Sequence, residues 1–330
     1  MEIERKTLRI CALVVLTSVL LRLFGGSFWE STVRALGSPE VASALLFLET
    51  GRYVRPSEIP EQKTPIFTPA PQKSEDPPVL PVFSQTDADL VEIRNTSGYD
   101  VEAAALLENN LNWNLHADTP TVLILHTHGT ESYTKTENYA ETTKYRTQDT
   151  GYNVVSIGDR VTELLENAGI RVVHDRTMHD TPSYDYSYTA ARQATAKILS
   201  QYPDISLVLD LHRDSMESSS GNQITATVPT PKGDAAQLML VMGSNGNGQN
   251  HPDWEKNLSL AVKLHAQLEK SCPGICRPLQ LRAQRYNQDL SSGAVLVEVG
   301  AAGNTRQQAL LSAEYLAQAI IALAYGSNYA

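Results

Sequence analysis

Three short stretches of this chain carry side chains able to do chemistry, and each ends an apolar run. Thr121–Leu125, TVLIL, leads straight into His126-Thr127-His128-Gly129-Thr130-Glu131. Ile205–Leu211, ISLVLDL, leads into His212-Arg213-Asp214. Ala294–Val299, AVLVEV, has Glu298 as its lone charge and is followed by Gly300. Charged groups at the ends of buried segments need a partner, a metal or water, because burying them unpaired is costly. Two imidazoles and one carboxylate suit zinc, which takes three protein ligands in catalytic sites and leaves a fourth position open. His128 and Glu131 have H-x-x-E spacing, and His212 lies 84 residues further on. These three are the expected zinc ligands. Glu298 is the expected proton carrier between an attacking water and a leaving amine. His126 and Arg213 complete the expected catalytic group. H-x-x-E alone is a weak pattern; joined to a strand-end histidine and a strand-borne glutamate it becomes more specific.

Each assignment has a competitor. His126 reads as a substrate contact or as the ligand in place of His128. Glu131 reads also as a helix-start carboxylate or salt-bridge partner, with Asp149 as the fallback third ligand. His212 reads also as a core histidine, and Glu298 as an ion-pair partner of Arg213 or Arg282. His174 and His179, in HDRTMHD, read as groove or surface residues, and His116, His251 and His265 receive no role. Cys272 and Cys276, in CPGIC, allow a small disulfide in an oxidising compartment or two free thiols.

The elements that must hold these residues alternate along the chain. The spacing predicts strands at 121–125, 171–173, 205–211, 223–229, 236–242 and 294–299. It predicts helices at 152–168, 187–201, 254–271 and 306–325. Alternation of this kind implies an α/β fold: an open, mostly parallel sheet with helices on both faces, whose site lies beyond the carboxyl ends of strands.

The N-terminal part differs in kind. Arg5, Lys6 and Arg9 precede an uncharged run of 12 residues from Ile10 to Leu21. A bilayer needs roughly 20, which a snorkelling Arg22 and the terminal Phe28 and Trp29 supply. Residues 1–30 therefore read as a membrane anchor, with a cleaved signal peptide and a buried helix as alternatives. The flanking basic residues put everything beyond residue 30 outside the cytoplasm. Residues 31–95 hold a juxtamembrane segment and a linker, since 8 of the 17 prolines fall between Pro56 and Pro81. Proline favours extended backbone and makes a semi-rigid spacer. Residues 96–330 read as the hydrolase domain, with a core beginning near Ser97. With 42% hydrophobic and 19% charged residues a real core is affordable. The formal net charge of −10 argues against a nucleic-acid partner. Three cysteines exclude a four-cysteine zinc module.

The segments ILHTHGTESY, NVVSIGDRV, VVHDRTMHD, LVLDLHRD and AVLVEVGAAGNT resemble the stage II sporulation protein P family. That family is similar in fold to zinc-dependent N-acetylmuramoyl-L-alanine amidases. The resemblance covers Thr121 to the C-terminus, and LDLHRD is its most distinctive part. It implies zinc bound near HTHGTE and by His212, and a catalytic glutamate at Glu298, with Asn304 following. The broader amidases take a glutamate ligand from the start of the helix after the first strand, where this chain has Gln148-Asp149-Thr150. Glu131 is preferred because H-x-x-E also occurs in zinc carboxypeptidases of related architecture. The resemblance further implies cleavage of the amide joining muramic acid to L-alanine, and a second cut within peptide cross-links. It implies work on septal peptidoglycan during forespore engulfment beside a lytic transglycosylase partner. The competing readings are a zinc endopeptidase or carboxypeptidase acting on stem peptides, and an inactive wall-binding scaffold.

Overall fold

The computed structural model describes residues 82–111 and 113–325. The expected anchor, the juxtamembrane segment and nearly all of the proline-rich linker lie outside the described residues. Among the described residues no helix is long and apolar enough to cross a membrane.

Seven strands form one sheet. They are β1 (Ile93–Asn95), β2 (Val122–Leu125), β3 (Val172–His174), β4 (Leu207–Asp214), β7 (Leu238–Met242), β8 (Leu279–Leu281) and β9 (Ala294–Ala301), in the order β1-β8-β7-β9-β4-β2-β3. A separate antiparallel hairpin pairs β5 (Thr227–Thr230) with β6 (Gly233–Ala236). Every pairing in the large sheet is parallel except β7 with β9. The sheet is thus two parallel blocks of opposite direction, joined at that seam. The expected mixed α/β architecture with a mostly parallel sheet is what the chain adopts.

The helices are α1 (Gln85–Ala88), α2 (Ala103–Glu108), α3 (Val154–Asn167), α4 (Ser187–Gln201), α5 (Trp254–Ser271) and α6 (Arg306–Tyr325). Asn153 starts α3 by accepting the Val155 N–H at 3.0 Å, satisfying a donor that the first turn leaves free. Gly169, at φ 84°, ends it in the left-handed conformation that glycine adopts at no steric cost.

Alternation along the strands sorts the two faces. Val122, Ile124, Leu207, Leu209, Leu211, Val295, Val297, Leu238 and Leu240 join one core cluster with residues of α2, α3, α5 and α6. Leu123, Leu125, Val208 and Ala294 join a smaller cluster with Ala191, Ile198 and Leu199 of α4. One face is therefore covered by four helices. The other has α4 over β2 and β4, and leaves the carboxyl half of β4 and β9, with the neighbouring part of β7, uncovered. The sequence reading places the core's start near Ser97, but the sheet reaches back to β1, whose Ile93 sits in register with Leu279. β1 and its neighbour β8 are each three residues long, too short for a periodic signal.

Candidate active site

On the uncovered face, His212 and Glu298 are register neighbours on β4 and β9, and Met239 is the next neighbour on β7. Residues in register on adjacent strands point the same way. Beyond this point the register slips, His212 pairing with Glu298 but Asp214 with Ala301. The extra residue is on β9, where Gly300 takes φ 72°. A bulge of this kind re-aims neighbouring side chains. These residues floor a cavity of about 600 Å³, also lined by His128, Glu131, Arg213, Tyr184, Tyr188 and Tyr286.

His128 stacks on Tyr184 at 4.3 Å between ring centroids and meets His212 edge-on at 5.2 Å. Its Nδ1 is buried with no hydrogen-bond partner. Burial, reinforced by nearby His212, pushes its pKa down to about 4, so the ring is a neutral donor at pH 7. Glu131 Oε2 lies 3.5 Å from His212 Nδ1. Burial would raise its pKa, but His212 and Arg213 outweigh that and hold it at about 2. His212 Nε2 lies 3.0 Å from Asp210 Oδ1, without the alignment of a hydrogen bond. Burial opposes charge on His212, yet Asp210 and Glu131 on either side raise its pKa well above the usual value. Asp210 is itself held by the Thr127 N–H at 2.8 Å and the Thr127 hydroxyl at 2.6 Å.

The donor types suit zinc. The set offers two imidazoles and a carboxylate, His128 Nδ1 is a buried nitrogen without a partner, and His212 lies between the carboxylates of Asp210 and Glu131. Two carboxylates straddling one imidazolium are also a place where a divalent cation displaces a proton.

Glu298 is different. Its Oε2 is buried and partnerless, and burial pushes its pKa up to about 8. Neither alternative ion-pair partner takes it. Arg282 donates to Gln280 Oε1 at 3.0 Å. Arg213 lies 3.6 Å from Glu131 Oε1, and donates to the Ser132 carbonyl at 2.9 Å and the Tyr145 carbonyl at 3.0 Å. The guanidinium expected in catalysis is thus a clamp on Glu131 and its loop.

His126 also departs from expectation. It continues the Val122–Ile124 phase and so faces α3, away from the cavity. Its Nδ1 meets the Leu211 carbonyl at 2.9 Å, its Nε2 meets His174 Nε2 at 2.9 Å, and it does not line the cavity. The substitute ligand Asp149 is likewise elsewhere, accepting the Gly151 N–H at 3.0 Å in an exposed turn. His174 and His179 are not surface groups. His174 joins His126 to Asp159, at 3.2 Å, and His179 is buried 3.0 Å from Asp175.

Sequence reasoning missed Arg146 and the tyrosines. Arg146 donates to Asp180 at 2.9 Å, lies 3.5 Å from Glu131 and covers the Tyr184 ring at 4.7 Å. The signal available was Ser183–Tyr188, SYDYSY, an aromatic density unusual for a polar loop.

Among solved structures, the chain is similar to an N-acetylmuramoyl-L-alanine amidase of Nostoc punctiforme (15% identity, TM-score 0.38, 61% of this chain and 94% of that one). It is also similar to an N-acetylmuramyl-L-alanine amidase from Mycobacterium smegmatis (15%, 0.37, 64% and 98%). A curated relative, stage II sporulation protein P of Bacillus subtilis (strain 168), is 28% identical over 203 residues, which are 58% of this chain. The match spans 48% of that relative, about half its length. The family model of stage II sporulation protein P matches residues 61–321, and the chain belongs to that family.

Proposed function

We propose that this chain is a zinc-dependent N-acetylmuramoyl-L-alanine amidase that cuts the amide between muramic acid and the stem peptide of peptidoglycan during sporulation. The observation that carries the reading is Glu298, a buried carboxyl with a partnerless oxygen, in register beside His212 on the floor of an open cavity. His128, Glu131 and His212 would hold zinc, which supplies Lewis-acid polarisation of an amide carbonyl. Arg213 and Arg146 keep Glu131 ionised and aimed. Asp210 lies 3.0 Å from His212 Nε2. Glu298 is placed to accept a proton from an attacking water and return it to the departing amine, and a cation bound at His212 would lower its raised pKa so that the carboxyl is ionised for that role. Tyr184, Tyr188 and Tyr286 offer aromatic walls to a sugar or a stem peptide.

The first 30 residues anchor the enzyme in the membrane, the proline-rich segment spans toward the wall, and a lytic transglycosylase of the same sporulation stage acts beside it at the septum. The test is digestion of purified peptidoglycan by the full chain, with and without chelator, with products identified by mass. Intact stem peptides with a free L-alanine amine, formed only with metal, are expected. Peptide fragments alone would move the cut into the stem peptide. No product with zinc supplied would leave a wall-binding scaffold.

A further inference from the structure

A second donor cluster lies at the far end of α5, apart from the cavity-lining residues. His265 and Glu269 are four residues apart, which puts them on one face of the helix. The helix ends at Ser271, and Gly274, at φ 85°, turns the chain back. Glu269 fixes that turn by accepting the Gly274 N–H at 2.8 Å and the Cys276 N–H at 2.7 Å, one on each carboxylate oxygen. The turn carries Cys276 back beside His265, so that the donor atoms of His265, Glu269 and Cys276 all lie within 4.8 Å of one another.

His265 is only 3% exposed, and its Nδ1 has no hydrogen-bond partner. A buried imidazole nitrogen without a partner presents a lone pair, as a metal ligand does. Cys272 and Cys276 are free thiols. A nitrogen, an oxygen and a sulfur suit zinc, and do not suit calcium or magnesium, which prefer oxygen alone.

We propose that His265, Glu269 and Cys276 form a structural zinc site, separate from the catalytic cavity. The ion staples the end of α5 to the segment that follows. That segment matters to the cavity: the Arg277 N–H donates to the Leu238 carbonyl at 2.7 Å, and its guanidinium donates to Asp214, a cavity-lining residue, at 2.6 Å.

Cobalt distinguishes this site from the catalytic one, because the set His128, Glu131 and His212 contains no sulfur. The full-length chain, reduced and stripped of metal, is titrated with Co2+ and read in the near ultraviolet for thiolate-to-cobalt charge transfer. A band that saturates by about two ions per chain, once both sites are filled, is expected. It should be displaced by Zn2+, unchanged in His212→Ala, and lost in Cys276→Ser and in His265→Gln. The metal-free melting temperature of Cys276→Ser, compared with that of the metal-free parent, controls for folding. Three results would overturn the proposal: no band in the reduced parent chain, a band that survives Cys276→Ser, or a chain recovered without reductant as a metal-free Cys272–Cys276 disulfide.

Discussion

His126 and His128 are two residues apart, and the fold sends them to opposite sides of the sheet. His126 is packed against Gly158 of α3 and bonded to His174, in a space already full. His128 stands at an open cavity with a nitrogen that nothing satisfies. Burial makes both rings neutral, at about 3 and about 4. Residue type and depth therefore do not separate a ligand from a core group. The difference lies in whether the unspent lone pair faces protein or space. Glu131 and Glu298 repeat the lesson with carboxylates. One is surrounded by cations and held at about 2, while the other, in register beside His212 but with a partnerless oxygen, is pushed up to about 8.

The largest effect is expected at Glu298. Glu298→Gln should keep its metal and its melting temperature while hydrolysis falls by about 10²–10⁴. Full activity with reduced stability would end the catalytic assignment. His212→Ala should remove about one zinc per chain by elemental analysis, and unchanged zinc would take His212 out of the ligand set.

On the closed side the expected effects are on stability. A Cβ at Gly158 would lie 2.5 Å from His174 Nε2 and 2.7 Å from His126 Nε2. Gly158→Ala should therefore destabilise by about 1–3 kcal/mol in denaturant melts, despite alanine's better helix propensity. A neutral or stabilising result would break the packing described for His126.

His126 also ties stability to acid. Its folded pKa, about 3, lies below the unfolded value near 6.5, so the unfolded chain binds the proton first. The contribution is complete above pH 6.5 and is lost as pH falls from there toward 3, at about 1.4 kcal/mol per pH unit while only the unfolded state is protonated. His126→Gln should flatten that part of the stability–pH curve; an unchanged slope would mean that His126 is not held neutral.

The smallest effect is expected at the cavity mouth. Tyr184 is 52% exposed. Tyr184→Ala should raise KM a few-fold with kcat little changed, as loss of uniform binding does. A fall in kcat alone would give Tyr184 a part in the chemistry.

Much of this organisation was legible in the sequence. The strands at 122–125, 207–214 and 294–301 are apolar runs flanked by turns, and α3 to α6 carry helical periodicity and end signals. The convergence of His128, Glu131, His212 and Glu298 followed from their places at strand ends. The direction of His126 did not, although Val122, Ile124 and His126 share one alternation phase, because the face that phase belongs to is set by where α3 packs. The antiparallel β7–β9 seam was hidden too, since strand direction depends on connections that cross the sheet. His265 received no role from the sequence. Its meeting with Cys276 needs both the α5 periodicity and the return made at Gly274.

The two faces of the sheet also differ in what they can tolerate. The floor residues Met239, Val241 and Leu296 belong to the cavity wall, while Leu240, Val295 and Val297 on the same strands hold the core. Strand backbone groups are satisfied within the ladder whatever the floor side chains are. Selection can therefore rewrite the floor by point substitution, changing which ligand fits the cavity, without loosening the packing underneath. In this fold, substrate range and thermal stability sit on alternate residues of the same strands and are free to evolve separately.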